Sequence, residues 1–598
     1  MTDLSEKWKA RIAGALGDIM ETPGEGVEAA GIIAEIPPRP ELGDLGFPMF
    51  TYAKPLRKAP PLIARMVAER IAGGLLPGEE VRAEGPYVNI RLDRGKTAAA
   101  ILAGSLGPEG AGSPAGGLSG SRIMVEFSSP KTNKPLHLGH LRNNALGESI
   151  SRILSRCGAQ VRKVCIINDR GIHICKSMVA YKKFGGGKTP ESEGRKSDHF
   201  VGDYYVLFDK AFRAEAAELR KPGLSREDAE AEAPIMKEAQ ELLRLWEAGD
   251  AETTALWERM NRWTVEGMKE TYARTGVSFD QYYFESRTYL KGKDEILKGL
   301  ERGVFFREPD GSVQVDLAAE KLDRKVLLRR DGTSIYITQD IGTAIFRHND
   351  WPFERMVYVV GSEQQYHFKV LFAILTRLGF DWAKNLYHLS YGMVNLPEGK
   401  MKSREGTVVD ADDLIDSLRE MALGEIRSKD REEAVGDPAA AAEKVALGAL
   451  HYYLLQTSPS KDMLFDPGAS LSFNGNTGPY LQYMGARLSA LLRRADSRSG
   501  AGGFDAGLLT GDAEWDLVMT LGRYGAAVEG AASAMDPSLL AAYLYELSKS
   551  FSRFYHDCPI LNAEKPGLAE ARLGLCRAVL QVLRDAMELI CVPFLEAM

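Results

Sequence analysis

The stretch RIMVEFSSPKTNKPLHLGHLR, residues 122–142, joins a strand-like run to a helical pattern that continues to Cys157. Its loop holds two prolines, two lysines and two histidines set three apart around Gly139. Strand, loop and helix in that order predict a parallel-sheet unit whose loop lies at the carboxyl edge, where open α/β sheets bind ligands. A helix N-terminus at that edge favours phosphate. At the helix entry His137 and His140 face one side and can both donate to one phosphate group. Gly139 leaves its backbone open to a flat base or ribose, and Lys131 and Lys134 bring mobile positive charge. Taken alone, so short a pattern reads equally as a basic surface turn.

Moving outward, 598 residues exceed what one core usually holds, so several domains are expected. The 44% hydrophobic and 26% charged content is that of a soluble globular chain. No apolar run reaches the roughly 18 residues that a membrane span needs. The start, MTDLSEKWKARIAGALGDIM, is an amphipathic helix pattern and not a secretory signal, so a cytoplasmic setting is expected. Six cysteines form no CxxC pair, which argues against zinc and against a disulfide framework. A net charge of −7 neither announces nor excludes a nucleic-acid partner, because phosphate binding depends on local basic surface.

Composition divides the chain. Residues 102–121, LAGSLGPEGAGSPAGGLSGS, lack apolar periodicity and read as a linker. Before them lie helical patterns and a strand-like GPYVNIRL (85–92), a small α+β unit. After them RIMVEF, VRKVCII (161–167) and RMVYVVG (355–361) alternate with helical runs, which predicts a Rossmann-type parallel sheet wrapped by helices. A charged, Ala- and Glu-rich helical segment near 185–265 interrupts that alternation as an insertion. From about 430 the pattern is helical with no convincing strand, which predicts a bundle. The expected domains are therefore 1–115, 116–430 and 431–598.

The run VEFSSPKTNKPLHLGHLRNNALGESISRIL (125–154) resembles the signature of the class I aminoacyl-tRNA synthetases and, within them, of the arginyl-tRNA synthetases. A loop similar to that family's second signature follows in GMVNLPEGKMKSREGTVVDADDLI (392–415). Between the two, IINDRGIHICKSM (166–178), DGTSIYITQDIGTA (331–344) and YVVGSEQQYH (358–367) resemble family blocks in the family's order. FNGNTGPYLQYMGARL (473–488) is similar to the opening of its all-helical anticodon-binding bundle. The resemblance spans nearly the whole chain.

It implies an α/β enzyme that activates L-arginine with ATP and its accompanying Mg2+, then transfers arginine to the 3′-terminal adenosine of tRNA(Arg). A monomer without zinc and without a membrane partner is expected. Arginine carboxylate attacking the α-phosphate needs donors and cations around that phosphate and no covalent nucleophile. His137, Gly139, His140, Met401, Ser403 and Arg404 match the family's ATP-binding positions, with His137, His140, Lys134 and Arg404 in catalytic roles. Two positions depart from the pattern. The second loop lacks the usual second lysine, offering Lys402, Ser403 and Arg404 after Met401, and Lys134 stands where arginyl enzymes place a substitute. Lys131 replaces an asparagine that the family uses near the amino acid.

Guanidinium needs carboxylates and an aromatic or hydrogen-bonding wall. The resemblance assigns that pocket to Asp340, expected in a partly dry site, with Tyr336 one turn before it, Glu285 as a second acid and Gln364 for the α-amino group. It assigns tRNA contacts to Tyr87 and Asn89, to Tyr480 and Tyr483 with Arg487 on the same helical side, and to the terminal Met598. An adenylating enzyme that uses no RNA would have no reason to keep the terminal modules, and an inactive RNA-binding paralogue could lose motif residues. A cysteine-accepting synthetase would need zinc ligands that are missing here.

Overall fold

A computed structural model describes residues 2–20, 27–107, 117–220, 225–289, 291–397, 409–428, 435–496, 503–563 and 565–598. The amino-terminal unit is an antiparallel sheet ordered β1 (Leu45–Pro48), β3 (Tyr87–Arg91), β2 (Glu80–Glu84), covered by helix Pro60–Ala72, on which helix Thr2–Met20 packs. The expected linker begins late. Asp93 caps a helix over Arg94–Leu106 by accepting from the Lys96 amide, 3.0 Å, and Ala98, Ile101 and Leu102 give it a buried face. That face packs on helices Asp512–Leu521 and Leu568–Leu589, so Leu102 to Leu106 belong to a docked helix and not to a tether.

The central sheet is wholly parallel. It comprises β4 (Arg122–Glu126), β5 (Gln160–Ile167) and β6 (Gln281–Phe284) on one side, with two later strands on the other. An unforeseen antiparallel sheet of β7 (Phe306–Arg307), β8 (Val313–Val315) and β9 (Lys325–Leu328) intervenes in the chain before β10 (Arg355–Gly361) and β11 (Leu386–Tyr391) complete the order β11-β10-β4-β5-β6. The chain runs from β4 outward to β6 and returns to lay β10 against the other edge of β4. The crevice at that reversal lies at the carboxyl ends of β4 and β10, the binding position of doubly wound sheets.

Helix Leu138–Arg156 follows β4 and is buried on almost every face, because the sheet covers one side and the carboxyl-terminal helices the other. Gly147 makes the approach to the sheet possible: a Cβ there would lie 2.1 Å from the Phe127 ring. The insertion is helical, with main helices Ser197–Arg220, Pro234–Glu247 and Ala251–Arg274. Beyond residue 430 the described residues are helical apart from the connecting loops and β13 (Met463–Leu464), which pairs in parallel with β12 (Val394–Asn395). That two-residue strand departs from the expectation of helices alone; too short to show as a pattern, it exists through its pairing partner. Among the described residues no helix is long and apolar enough to cross a membrane.

Candidate active site

The loop after β4 opens with two successive non-glycine residues in the left-handed region, Ser128 at φ 70° and Ser129 at φ 48°. Such backbone costs on the order of 1–3 kcal/mol per residue and persists only where neighbours enforce it. Here the Ser128 amide donates to Asn143 Oδ1 at 2.5 Å, its hydroxyl pairs with the Tyr272 hydroxyl at 2.7 Å, and Ser129 Oγ donates to Glu126 at 3.2 Å. Glu126 is itself held by a buried ion pair with Arg347. Asn143 also donates to the Val359 carbonyl, 2.8 Å, which ties helix Leu138–Arg156 to β10.

The two histidines cap the helix they introduce. His137 Nδ1 accepts from the Gly139 amide and His140 Nδ1 from the His137 amide, each at 3.2 Å, with ring centroids 3.9 Å apart. An Nδ1 that accepts leaves the proton on Nε2, so both rings present Nε2–H away from the helix. Burial, reinforced by Lys134, pushes His137 down to about 4, and burial drives His140 well below its ordinary value. The pair therefore acts as two neutral donors at a helix N-terminus and not as two cations. Lys134 supplies the charge. Burial and then Lys131 lower its pKa, and no carboxylate among the described residues forms an ion pair with it.

Met401, Ser403 and Arg404 lie outside the described residues, as does Lys402. What flanks them is anchored on the histidine helix. Fully buried Arg142 donates to the carbonyls of Gly392, 2.5 Å, and Met393, 3.1 Å. On the other flank, Leu138 N donates to Val409 O, 3.2 Å, and Ala411 N to Leu136 O, 3.0 Å.

Beside the histidine loop, the ends of β5 and β6 bring acids together. Asp169 accepts from the Ser286 amide at 2.9 Å and from its hydroxyl at 2.7 Å, which fixes the turn carrying Glu285. Burial pushes Glu285 up to about 7; Arg170 draws it down, Asp169 and Asp340 push it further up, and Lys131 draws it down. The exposed Lys131 side chain thus acts on both the acidic pocket and Lys134, at the junction between them. Asp340 Oδ2 lies 2.7 Å from His367 Nε2 and its side chain is 42% exposed, more open than a dry pocket would leave it. Tyr336, 79% exposed, opens the Asp340 helix, and Gln364 is exposed just after β10.

Sequence reasoning missed three members of this pocket. Asp169 and Arg170 lie in IINDRG and His367 ends YVVGSEQQYH, so the blocks were visible although these residues went unassigned. A carboxylate raised by burial and then by neighbouring carboxylates is a receptor for a cation. A guanidinium received by Glu285, as the sequence resemblance implies, would favour its ionised form, so arginine affinity is expected to rise with pH through about 7 and then level off. Calorimetry with the free amino acid should give about tenfold tighter binding at pH 8 than at pH 6. Affinities within twofold of each other would remove Glu285 from the pocket.

The proposed RNA-facing residues fall into two groups. On the bundle, Tyr480 meets Tyr545 edge-on at 6.0 Å, Tyr483 is exposed, and Arg487 stacks on Tyr555 at 3.8 Å. Gln482, on the same helix, donates to Pro593 O at 2.8 Å and holds the terminal tail, whose Met598 packs partly buried on the core. In the amino-terminal unit Tyr87 meets exposed Phe50 edge-on at 5.8 Å. Asn89 is withdrawn from the surface at 5% exposure, because β3 is the central strand between β1 and β2. Trp515 Nε1 donates to Asp44 at 2.7 Å, and Arg94 pairs with Asp512 at 2.8 Å, joining the two modules.

Comparison with known proteins matches three family descriptions along the chain. Residues 117–466 match the class I (R) tRNA synthetase catalytic domain, residues 481–598 the DALR anticodon binding domain, and residues 6–92 the arginyl tRNA synthetase N-terminal domain. The arginine–tRNA ligases of Treponema denticola and Treponema pallidum are 58% and 52% identical, with all of each chain covered. The solved arginyl-tRNA synthetase of Thermus thermophilus superposes with a TM-score of 0.81 at 27% identity over the full length of both chains.

Proposed function

The chain belongs to the arginyl-tRNA synthetases, and from that premise we propose how its residues divide the work. The protein is an arginine–tRNA ligase: it activates arginine with ATP and charges tRNA with it. In the first step a carboxylate oxygen of arginine forms a bond to the α-phosphorus while the bond to the β-phosphate bridging oxygen breaks and pyrophosphate leaves. In the second, the 3′-terminal ribose hydroxyl takes the arginyl group and AMP departs.

We assign the Nε2–H groups of His137 and His140 to phosphate oxygens, where neutral donors stabilise growing negative charge without a proton transfer. Lys134 serves the leaving phosphates, Gly139 leaves room for the nucleoside, and Mg2+ arrives with the nucleotide as part of the substrate. Met401, Ser403 and Arg404 complete the nucleotide site in this reading. Glu285 and Asp340 hold the guanidinium, with Tyr336 as a wall and Gln364 at the α-amino group. Tyr87, Tyr480, Tyr483 and Met598 face tRNA(Arg), while the burial of Asn89 limits it to supporting Tyr87. A monomer in the cytoplasm fits this reading, with domains near 1–115, 116–430 and 431–598.

The observation that carries the substrate assignment is the gathering of Asp169, Glu285 and Asp340 beside a neutral pair of helix-capping donors. Charging a mixed tRNA pool with each of the twenty amino acids tests it. Arginine alone should be accepted; comparable charging with lysine would defeat the pocket assignment.

A further inference from the structure

The insertion contacts both chain segments that shape the histidine loop. On helix Ser197–Arg220, Gly202 packs so closely on the loop that a Cβ would lie 2.7 Å from Pro135 Cδ and 3.6 Å from Lys134 Cα. From helix Ala251–Arg274, Thr264 Oγ1 donates to the Thr132 carbonyl at 3.2 Å. The two insertion helices are locked together where Gly267 meets fully buried Asp198, with only 2.4 Å left for a Cβ.

The second segment is Val409–Ala411, hydrogen-bonded to Leu136 and Leu138 across His137. Directly after it, in the first turn of helix Ala411–Ser428, stands Asp412. Its carboxylate accepts from Lys196 Nζ at 2.8 Å, His199 Nε2 at 3.2 Å and Thr271 Oγ1 at 3.1 Å, and Arg274 lies 3.7 Å away. All four partners belong to the insertion. His199 also lies 3.4 Å from Asp410, whose Oδ1 caps the helix by accepting from the Asp412 amide at 2.8 Å. Asp198, His199 and Asp412 are close enough together to suggest a metal site. Lys196 Nζ, 3.0 Å from Asp198 and 2.8 Å from Asp412, already supplies the cation there.

We infer that the insertion is a buttress for the phosphate-binding loop, and that Asp412 is the positioning residue through which it holds the strand beside His137. A single acceptor collects two long cations, an imidazole and a hydroxyl from two helices. Removing its charge leaves Lys196 to Asp198 and Arg274 to Asp416 and Glu443, and Val409–Ala411 loses its tie to the wall behind Lys134. The histidine donors must sit where charge develops, and displacement on the order of 1 Å can cost about 10²-fold in rate. The acids that receive guanidinium lie at the ends of β5 and β6 and in helix Tyr336–Asp350, outside this network.

The inference rests on the reading of the histidine loop as the phosphate site and is tested on the full chain with Asp412→Asn. The kcat for arginine charging should fall by about tenfold or more, while arginine Kd stays within about twofold and the protein remains folded at a lower melting temperature. Lys196→Met should act in the same direction, and the double variant should be no slower than the slower single, as expected of residues in one network. Gly202→Ala, which leaves the ion cluster intact but presses on Pro135, should show the same split and decides the matter should Asp412→Asn fold poorly. A kcat within twofold of the parent in both Asp412→Asn and Gly202→Ala, or an equal loss of arginine affinity, would overturn the positioning role. Failure of the unaltered protein to charge tRNA with arginine would instead overturn the reading beneath it.

Discussion

Replacing His140 with alanine is expected to lower kcat by roughly 10²–10³-fold, the usual consequence of removing one donor aimed at developing negative charge. Arginine Kd should barely move, because the proposed role of the ring is toward phosphate and not toward the acidic pocket. The same substitution removes the acceptor for the His137 amide and so costs about 0.5–2 kcal/mol as a lost cap. His140→Glu separates the two effects. A glutamate at this third helical position can keep the cap bond, yet it turns a carboxylate toward phosphate. It should match the parent in melting temperature and fall at least as far as alanine in rate. A rate loss that tracks stability across both variants would reduce His140 to a structural cap.

Asp340→Asn should weaken arginine binding by about tenfold to a hundredfold. The site is less dry than the sequence suggested, with the Asp340 side chain 42% exposed and His367 already at 2.7 Å. The appropriate loss is therefore that of a charge-assisted hydrogen bond, about 1.5–3 kcal/mol, and not that of a sealed ion pair. At about 1.4 kcal/mol per tenfold, this gives the stated range. Asparagine keeps an oxygen for His367, so the neighbouring helix should not shift. ATP affinity should stay within about twofold, and citrulline, which lacks the charge, should lose much less than arginine does. Titration of both ligands against both proteins checks this; an arginine Kd within a few-fold of the parent would take Asp340 out of the pocket.

The histidine loop, the alternating strands and the helical carboxyl-terminal region could be read directly because each is a local pattern. Strand and helix periods, the glycine between two histidines and the order of the family blocks need no knowledge of distant contacts. Those features carry the fold class and the activity. Other elements fell below the threshold of any pattern. The strand β6 and the sheet of β7, β8 and β9 are short, at two to four residues each, too few to display a period; β6 is fixed by pairing with the distant β5, whereas β7, β8 and β9 pair with one another locally.

Tertiary structure decided what the polar residues do. On helix Leu138–Arg156 the buried residues include Arg142, Asn143, Asn144, Glu148, Ser149 and Ser151, a set that in sequence resembles a solvated face. They are buried because sheet and bundle close on the helix from two sides, and buried polar groups are retained where they find partners. Arg142 and Asn143 find them in carbonyls 216–319 residues away, contacts that no local pattern reports. The same holds for protonation. The sequence supplied two histidines and several acids, but their states follow from burial and from neighbours that only the fold assembles. Neutral donors at His137 and His140, and a carboxyl at Glu285 raised to about 7, are properties of the crevice and not of the residues.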